Sequence, residues 1–280
     1  EHQLRIGNST KTLLGLYSRR WNSSLPLVHY KVQGEKDGKS SAMILHGLFG
    51  STTNWGPITT QLLKQNVFDQ VILCDLRNHG KSFHHPTFTV PEMANDIHRL
   101  LEHLSIPEDF TLIGHSLGGK VAMQLALEGN LSNSSKLVVV DVAPLKYDTR
   151  KSFSAIVNAL CDLDISSSKS RKDIESDFAK LLPDENPLVR SFLLSNLYPD
   201  GDGYKWRINL ESIAKSLEKV GEMPRESHEG HSDIETLFIA GSNSTYIPKE
   251  EKTTILKYFP NAKIEYIDGA GHWVHYEKPK

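Results

Sequence analysis

The sequence predicts an α/β fold: a mostly parallel sheet flanked by helices, with a helical cap inserted after the strand that ends at Asp141. Three observations carry that prediction. Short apolar runs alternate with segments of helical periodicity, which is the pattern of βαβ units. One such run, Phe110–Gly114, passes straight into the turn Gly114-His-Ser-Leu-Gly118 and then into a helical stretch. The alternation stops between Ala143 and Asp233, where only helical patterns remain.

Taken in order, Leu27–Val32, Ala42–His46 and Gln70–Asp75 are apolar runs of strand length. Trp55–Lys64, between the last two, has helical spacing, as has Val90–Leu104. Phe110–Gly114 is the next strand, Lys120–Glu128 the helix behind it, and Lys136–Asp141 the strand after that. Lys151–Cys161, Lys169–Leu182, Pro187–Leu197 and Ile208–Val220 then read as helices, with loops at Pro183–Asn186 and Pro199–Gly203 and no strand among them. A stretch of about 90 residues far exceeds what a crossover needs. Residues 143–232 therefore read as a cap over the site, with ordinary crossover helices as the alternative. Thr236–Ala240, Lys249–Phe259 and Ala262–Ile267 resume the alternation, so 25–142 and 233–280 form one core. Sheets of this type carry their sites at the carboxyl ends of the strands.

Bulk properties exclude several classes. The 32 Lys and Arg nearly balance 34 Asp and Glu, which leaves no electrostatic footprint for nucleic acid. No apolar run reaches the roughly 18 residues of a membrane span. The two cysteines, Cys74 and Cys161, end apolar patterns and are expected in the core, which suits a reducing, intracellular compartment. The start of the chain differs from the rest. From His2 to Gly34 there is no acid, while Arg5, Lys11, Arg19, Arg20 and Lys31 are basic, and Leu13, Leu14, Leu16, Tyr17 and Trp21 can share a helix face. Such composition is that of a mitochondrial targeting segment. Residues 1–24 are read as its remnant, part of it preceding Glu1, with a loosely ordered extension and a cytoplasmic protein as the alternative.

The chemistry starts at Ser116. A Gly-x-Ser-x-Gly turn between strand and helix is a nucleophile elbow, whose glycines admit close backbone approach and whose helix points its positive end at the hydroxyl. A serine hydroxyl needs a base within hydrogen-bond reach. His272, in the Asp268-Gly-Ala-Gly-His-Trp273 loop after the last strand, is the candidate, and His275 the nearest competitor. The acid is less direct, because Gly241-Ser-Asn-Ser-Thr-Tyr246 after the Thr236–Ala240 strand contains no carboxylate, and Glu250 and Glu251 lie in the next helix. Asp141 ends the neighbouring strand at the right edge of the sheet and can hold the imidazole tautomer. Asp268 is the alternative, although Asp before Gly is commonly a turn former. An oxyanion needs two fixed N–H donors. The elbow supplies the Leu117 amide, and His46-Gly-Leu-Phe-Gly50 supplies that of Leu48, with Phe49 as fallback. His46, Arg77 and His79 are expected to brace loops, the last two by satisfying buried carbonyls.

Thirteen histidines raise the question of a metal. His98-Arg-Leu-Leu-Glu102-His103 has one residue too many for an inverted zincin motif, and His228 and His231 have no cysteine nearby. No metal is expected. Neither a Walker-type loop nor Gly-x-Gly-x-x-Gly is present, so no cofactor is expected either.

Taken together, His46-Gly-Leu-Phe-Gly50, Asp75-Leu-Arg-Asn-His-Gly80, Gly114-His-Ser-Leu-Gly-Gly-Lys120, Asp141-Val-Ala-Pro144 and Gly271-His-Trp-Val-His275 resemble one branch of the α/β-hydrolase superfamily. That branch holds the YbfF-like esterases, their mitochondrial animal relatives and the fungal alcohol (ethanol) acetyltransferases. The resemblance spans about residues 27–280. It implies an acid directly before the Val-Ala-Pro segment, hence Asp141, and acyl-ester chemistry through an acyl-enzyme. It also implies ester or thioester hydrolysis, and in the fungal members transfer from acetyl-CoA to an alcohol. Members of the branch continue past the histidine loop into a final helix that packs on the sheet. This chain stops at Lys280, so that helix is expected to be either trimmed away or lost, and if it is truly absent apolar sheet surface lies bare.

The leading expectation is an alcohol acetyltransferase, using acetyl-CoA as acyl-donor substrate, with esterase and thioesterase activity. A plain short-chain esterase or thioesterase stands next, and a non-catalytic binding module third. Dehalogenase or epoxide hydrolase chemistry would need a carboxylate where Ser116 stands. The partners are then small molecules: an acyl ester or thioester, and an alcohol or water.

Overall fold

The structure is a computed structural model that describes residues 24–35, 40–166, 169–222 and 230–279. The basic segment 1–23 and His228 lie outside the described residues. The elements run β1 (Tyr30–Gly34), β2 (Ser41–Leu45), α1 (Gly56–Lys64), β3 (Gln70–Cys74), α2 (Val90–Leu104), β4 (Thr111–His115), α3 (Leu117–Leu127) and β5 (Lys136–Val140). They continue with α4 (Thr149–Asp162), α5 (Arg171–Leu181), α6 (Pro187–Leu194), β6 (Leu197–Asp200), β7 (Gly203–Trp206), α7 (Leu210–Gly221), β8 (Glu235–Gly241), α8 (Lys252–Tyr258), β9 (Lys263–Ile267) and α9 (Val274–Glu277).

The seven-stranded sheet has the order β1-β3-β2-β4-β5-β8-β9. β1 runs antiparallel to β3, and the remaining neighbours are parallel. Every residue of the central strands β2 and β4 is buried, because helices cover both faces of a parallel sheet. The chain steps outward from β2 to β3, then returns across β2 to β4, so the strand order reverses there. At that switch point the carboxyl ends of β2 and β4 stand side by side and their loops part to leave a crevice. One apolar cluster unites α2, α3 and the segment between β5 and β8, and a second, with Trp55, Ile44, Ile113 and Val274, lies under α1 and α9.

α2 shows how local sequence sets an element. Thr89 caps it, accepting from the Glu92 amide and donating to the Glu92 carboxylate at 2.9 Å, while Pro91 sits in the first turn. Arg77 is bound to this helix by a bidentate pair to Asp96 at 2.5 and 2.9 Å, with both side chains only 2% exposed. Its guanidinium also donates to the carbonyls of Thr87 and Glu92, the bracing role that the sequence indicated. Burial pushes the Asp96 carboxyl up, and Arg77 opposes that shift.

Two expectations are corrected. The segment between β5 and β8 is not free of strands: β6 and β7 form an antiparallel hairpin turned by Gly201-Asp202, with Gly201 at φ +58°. Four-residue strands interrupted by Pro199 are too short to show a period in the sequence. Cys161, expected in the core, is exposed, whereas Cys74 is buried. Phe153, Ile156, Val157 and Leu160 form the inward face of α4, and the residue after Leu160 is rotated about 100° toward solvent.

Candidate active site

Ser116 occupies the turn between β4 and α3 with φ +50° and ψ −114°, a conformation that costs a non-glycine residue strain. The turn is possible because its neighbours lack side chains. A Cβ on Gly114 would lie 2.3 Å from the Gly118 carbonyl oxygen, and one on Gly118 would lie 2.4 Å from that of Leu45. The Ser116 carbonyl accepts from the Lys120 amide at 3.0 Å, so α3 begins at the nucleophile and directs its positive end there.

The imidazole of His272 stands between the two other predicted residues. Its Nε2 lies 2.9 Å from Ser116 Oγ and its Nδ1 lies 2.7 Å from Asp141 Oδ2. Asp141 is fully buried, and three donors converge on its carboxylate. Oδ1 accepts from the Gly241 amide at 2.9 Å, and Oδ2 accepts from Ser244 Oγ at 2.5 Å and from His272. All of its neighbours are donors, so Nδ1 carries the proton and Nε2 is left to accept from Ser116. Asp268, the alternative acid, is exposed, with a hydroxyl contact to Ser242 at 3.4 Å. His275, the alternative base, instead stacks on Trp55 with ring centroids 4.2 Å apart, and burial pushes it down to about 3.

The imidazole is also held on its face and at its backbone. Tyr246 stacks on it at 3.9 Å and 20°, and the Tyr147 ring stands behind Tyr246 at 5.2 Å. The Tyr147 hydroxyl donates to the Tyr246 carbonyl at 2.6 Å. His115 Nε2 donates to the His272 carbonyl at 2.9 Å, and burial holds His115 neutral, well below the usual histidine range. Sequence reasoning assigned nothing to Ser244, Tyr246 or His115. The signal lay in Gly241-Ser-Asn-Ser-Thr-Tyr246, where a carboxylate was sought and hydroxyl and aromatic groups serve Asp141 and His272 instead.

Around Leu48 the loop is braced as expected. His46 Nε2 accepts from the Leu76 amide at 3.0 Å and its Nδ1 donates to the Gly47 carbonyl at 2.8 Å. His79 Nε2 accepts from the Phe49 amide at 3.1 Å, which commits that amide elsewhere and removes it as an oxyanion donor. Burial pushes His79 down to about 3 and lowers His46 as well, consistent with neutral acceptors. Leu48 lines a void beside Ser116 and Leu117. At its edge the buried Lys120 ammonium donates to the carbonyls of Leu145, Gly221 and Glu222 at 3.1, 2.6 and 2.7 Å, although burial pulls it down to about 7. Among the described residues no three His, Cys, Asp or Glu side chains are grouped to hold a metal, and no helix is long and apolar enough to cross a membrane.

A serine, histidine and aspartate joined at the switch point of a parallel sheet define the class of the protein, a serine hydrolase. The chain belongs to the alpha/beta hydrolase fold family, whose pattern matches residues 43–279. Its relatives are the branch that the motifs indicated. It is 40% identical to the sn-1-specific diacylglycerol lipase ABHD11 of Danio rerio over 257 residues, which cover 89% of this chain and 78% of that protein. It is 34% identical to the esterase YbfF of Escherichia coli, covering 85% and 89%. It is 32% identical to the "Probable alcohol acetyltransferase" of Saccharomyces cerevisiae, covering 89% and 76%. The solved structure of a marine microorganism esterase superposes with a TM-score of 0.82 at 36% identity, covering 91% of this chain and 96% of that one.

Proposed function

We propose that the protein is an acyl-transfer enzyme that works through an acyl-enzyme on Ser116 and moves an acetyl group from acetyl-CoA to an alcohol, with esterase and thioesterase activity alongside. The observation that carries the reading is the unbroken line of hydrogen bonds from Ser116 through His272 to Asp141, at 2.9 and 2.7 Å. His272 Nε2 takes the Ser116 proton as Oγ attacks the acyl carbon. The buried Asp141 carboxylate then faces the imidazolium and lowers the cost of that charge. The Leu117 and Leu48 amides serve as donors to the oxyanion, worth about 3 kcal/mol each at such sites. On collapse, His272 returns the proton to the departing alcohol or thiol, and the acceptor repeats the cycle in reverse. Residues 143–232 act as a cap that limits water at the acyl-enzyme, which is what lets an alcohol compete. The yeast relative carries the acetyltransferase name, which supports transfer over hydrolysis. The esterase and lipase names among the relatives support plain hydrolysis as the second reading. The acid-poor, basic start of the chain supports a mitochondrial location.

Product analysis decides between the two. With acetyl-CoA and graded concentrations of ethanol or of a longer alcohol, transfer gives acetate ester in rising share. Free acetate alone at every alcohol concentration rejects transfer and leaves the hydrolase. Ser116→Ala should abolish both products and labelling by a fluorophosphonate probe. Full labelling of that variant would reject Ser116 as the nucleophile.

A further inference from the structure

The site opens into two cavities of very different size. Beside Ser116 lies a void of about 20 Å³, walled by Val142, Tyr147, Phe153 and Val220. A cleft of about 370 Å³ borders His272, with Trp273, Phe192, Val189 and Leu188 on its walls and Glu185 and Glu277 among them. The two share no lining residue.

We propose that these cavities divide the substrate, the void admitting only a short acyl group and the cleft receiving a long, apolar alcohol. The assignment rests on the acyl-transfer reading and on the direction of proton flow. When Ser116 Oγ bonds to the acyl carbon, the carbonyl electron pair moves to the oxygen and the Ser116 proton moves to His272 Nε2. When the intermediate collapses, the bond from carbon to the alkoxy oxygen breaks and that oxygen takes the proton from Nε2. Nε2 gives up its proton in the plane of the ring, so the alkoxy oxygen sits beside Nε2 with its chain toward the cleft that His272 lines, and the acyl chain lies beside Ser116, in the void. The acceptor enters at the position where the first alcohol or thiol left.

Volume sets the acyl limit. A void of about 20 Å³ has room for one water-sized group, and a methyl group is of that size. Its walls are held in place. Phe153 packs edge-on against Phe49 at 6.1 Å, Tyr147 stacks on Tyr246, and the end of α7 beside Val220 is held by the Lys120 bonds to the Gly221 and Glu222 carbonyls. A longer chain must displace these groups. The cleft falls within the size range of small-molecule sites, roughly 300–1,000 Å³. Apolar groups make up the larger part of its wall, with Leu188 54% and Tyr276 49% exposed and the Phe192 and Trp273 rings 6.2 Å apart, beside the carboxylates of Glu185 and Glu277. Such a wall gains from each methylene it covers, about three- to fourfold in affinity per group.

The test uses the full chain and two ester series. In the first, p-nitrophenyl esters run from acetyl through butanoyl to octanoyl, and kcat/KM should fall at least tenfold from acetyl to octanoyl. In the second, acetate esters run from ethyl to octyl, and kcat/KM should rise at least tenfold. Phe153→Ala should raise the ratio of octanoyl to acetyl ester, and Phe192→Ala should lower the ratio of octyl to ethyl acetate while leaving folding intact. Turnover that depends on Ser116 but rises with acyl length, or ignores alcohol length, overturns this inference while leaving the acyl-transfer reading intact. No turnover of any ester overturns that reading instead.

Discussion

Replacing Asp141 by Asn tests the triad with the smallest change of shape. The carboxylate meets donors on every side: the Gly241 amide at Oδ1, and Ser244 and His272 at Oδ2. An asparagine side chain has one acceptor and one donor end. Its oxygen must face the Gly241 amide, since that backbone donor cannot turn away. Its NH₂ group then faces His272 Nδ1 and Ser244, and the serine hydroxyl can rotate to accept. The imidazole cannot rotate in that way, because Tyr246 covers its face, so it must place its proton on Nε2. That tautomer cannot accept the Ser116 proton. A wrong tautomer in a triad of this kind costs about 10⁴-fold in kcat, or about 5.5 kcal/mol. Stopped-flow acylation by p-nitrophenyl acetate reads the loss directly, and thermal unfolding checks that the variant folds. Asp268→Asn, at an exposed site, should stay within about twofold of the parent. An Asp141→Asn variant that folds and retains a tenth of the parent rate refutes the reasoning, and so does the opposite ranking of the two.

Three further outcomes are expected. Tyr246→Ala removes the ring stacked 3.9 Å from the imidazole and should lower kcat about 10- to 100-fold, whereas Tyr246→Phe should keep most of the rate; equal rates for both variants would deny the ring a positioning role. Gly114→Ala sets a Cβ 2.3 Å from the Gly118 oxygen and should lose more than about 2 kcal/mol by urea unfolding, so an unchanged midpoint would contradict the packing described. Burial holds His79 and His275 at about 3 in the folded chain, against 6.5 in the unfolded chain, so between those limits the unfolded state binds more protons. Stability must then fall as pH falls through this window, by up to about 1.4 kcal/mol per unit for each histidine. Urea midpoints at about pH 7, 6 and 5 read the slope. A flat series would show that these histidines titrate normally.

Local signals explain what the sequence revealed. The elbow is a chain-local motif in which strand, turn and helix could be read together, although only Gly114 answers to a clash within it and Gly118 answers to the carbonyl of Leu45 on β2. Asp141 was legible because the end of a parallel strand maps to one edge of the sheet. The supports of the triad were not. Ser244 reaches Asp141 from 103 positions away, and Tyr246 meets the His272 ring only because β8 and β9 are neighbours in the sheet. A hydroxyl in a loop has no periodicity to announce it. The hairpin of β6 and β7 was missed for lack of length, and Cys161 because one helix position separates an inward side chain from an outward one.

The Lys120 ammonium has a consequence for access. It belongs to the helix that carries the nucleophile, yet it grips the far end of the inserted segment through Gly221 and Glu222 and its beginning through Leu145. Asn209 is tied in turn to the Asn78 carbonyl at 2.9 Å. An insertion anchored at both feet cannot lift like a hinged door. Opening it away from Ser116 means breaking these buried bonds together rather than turning about a single joint.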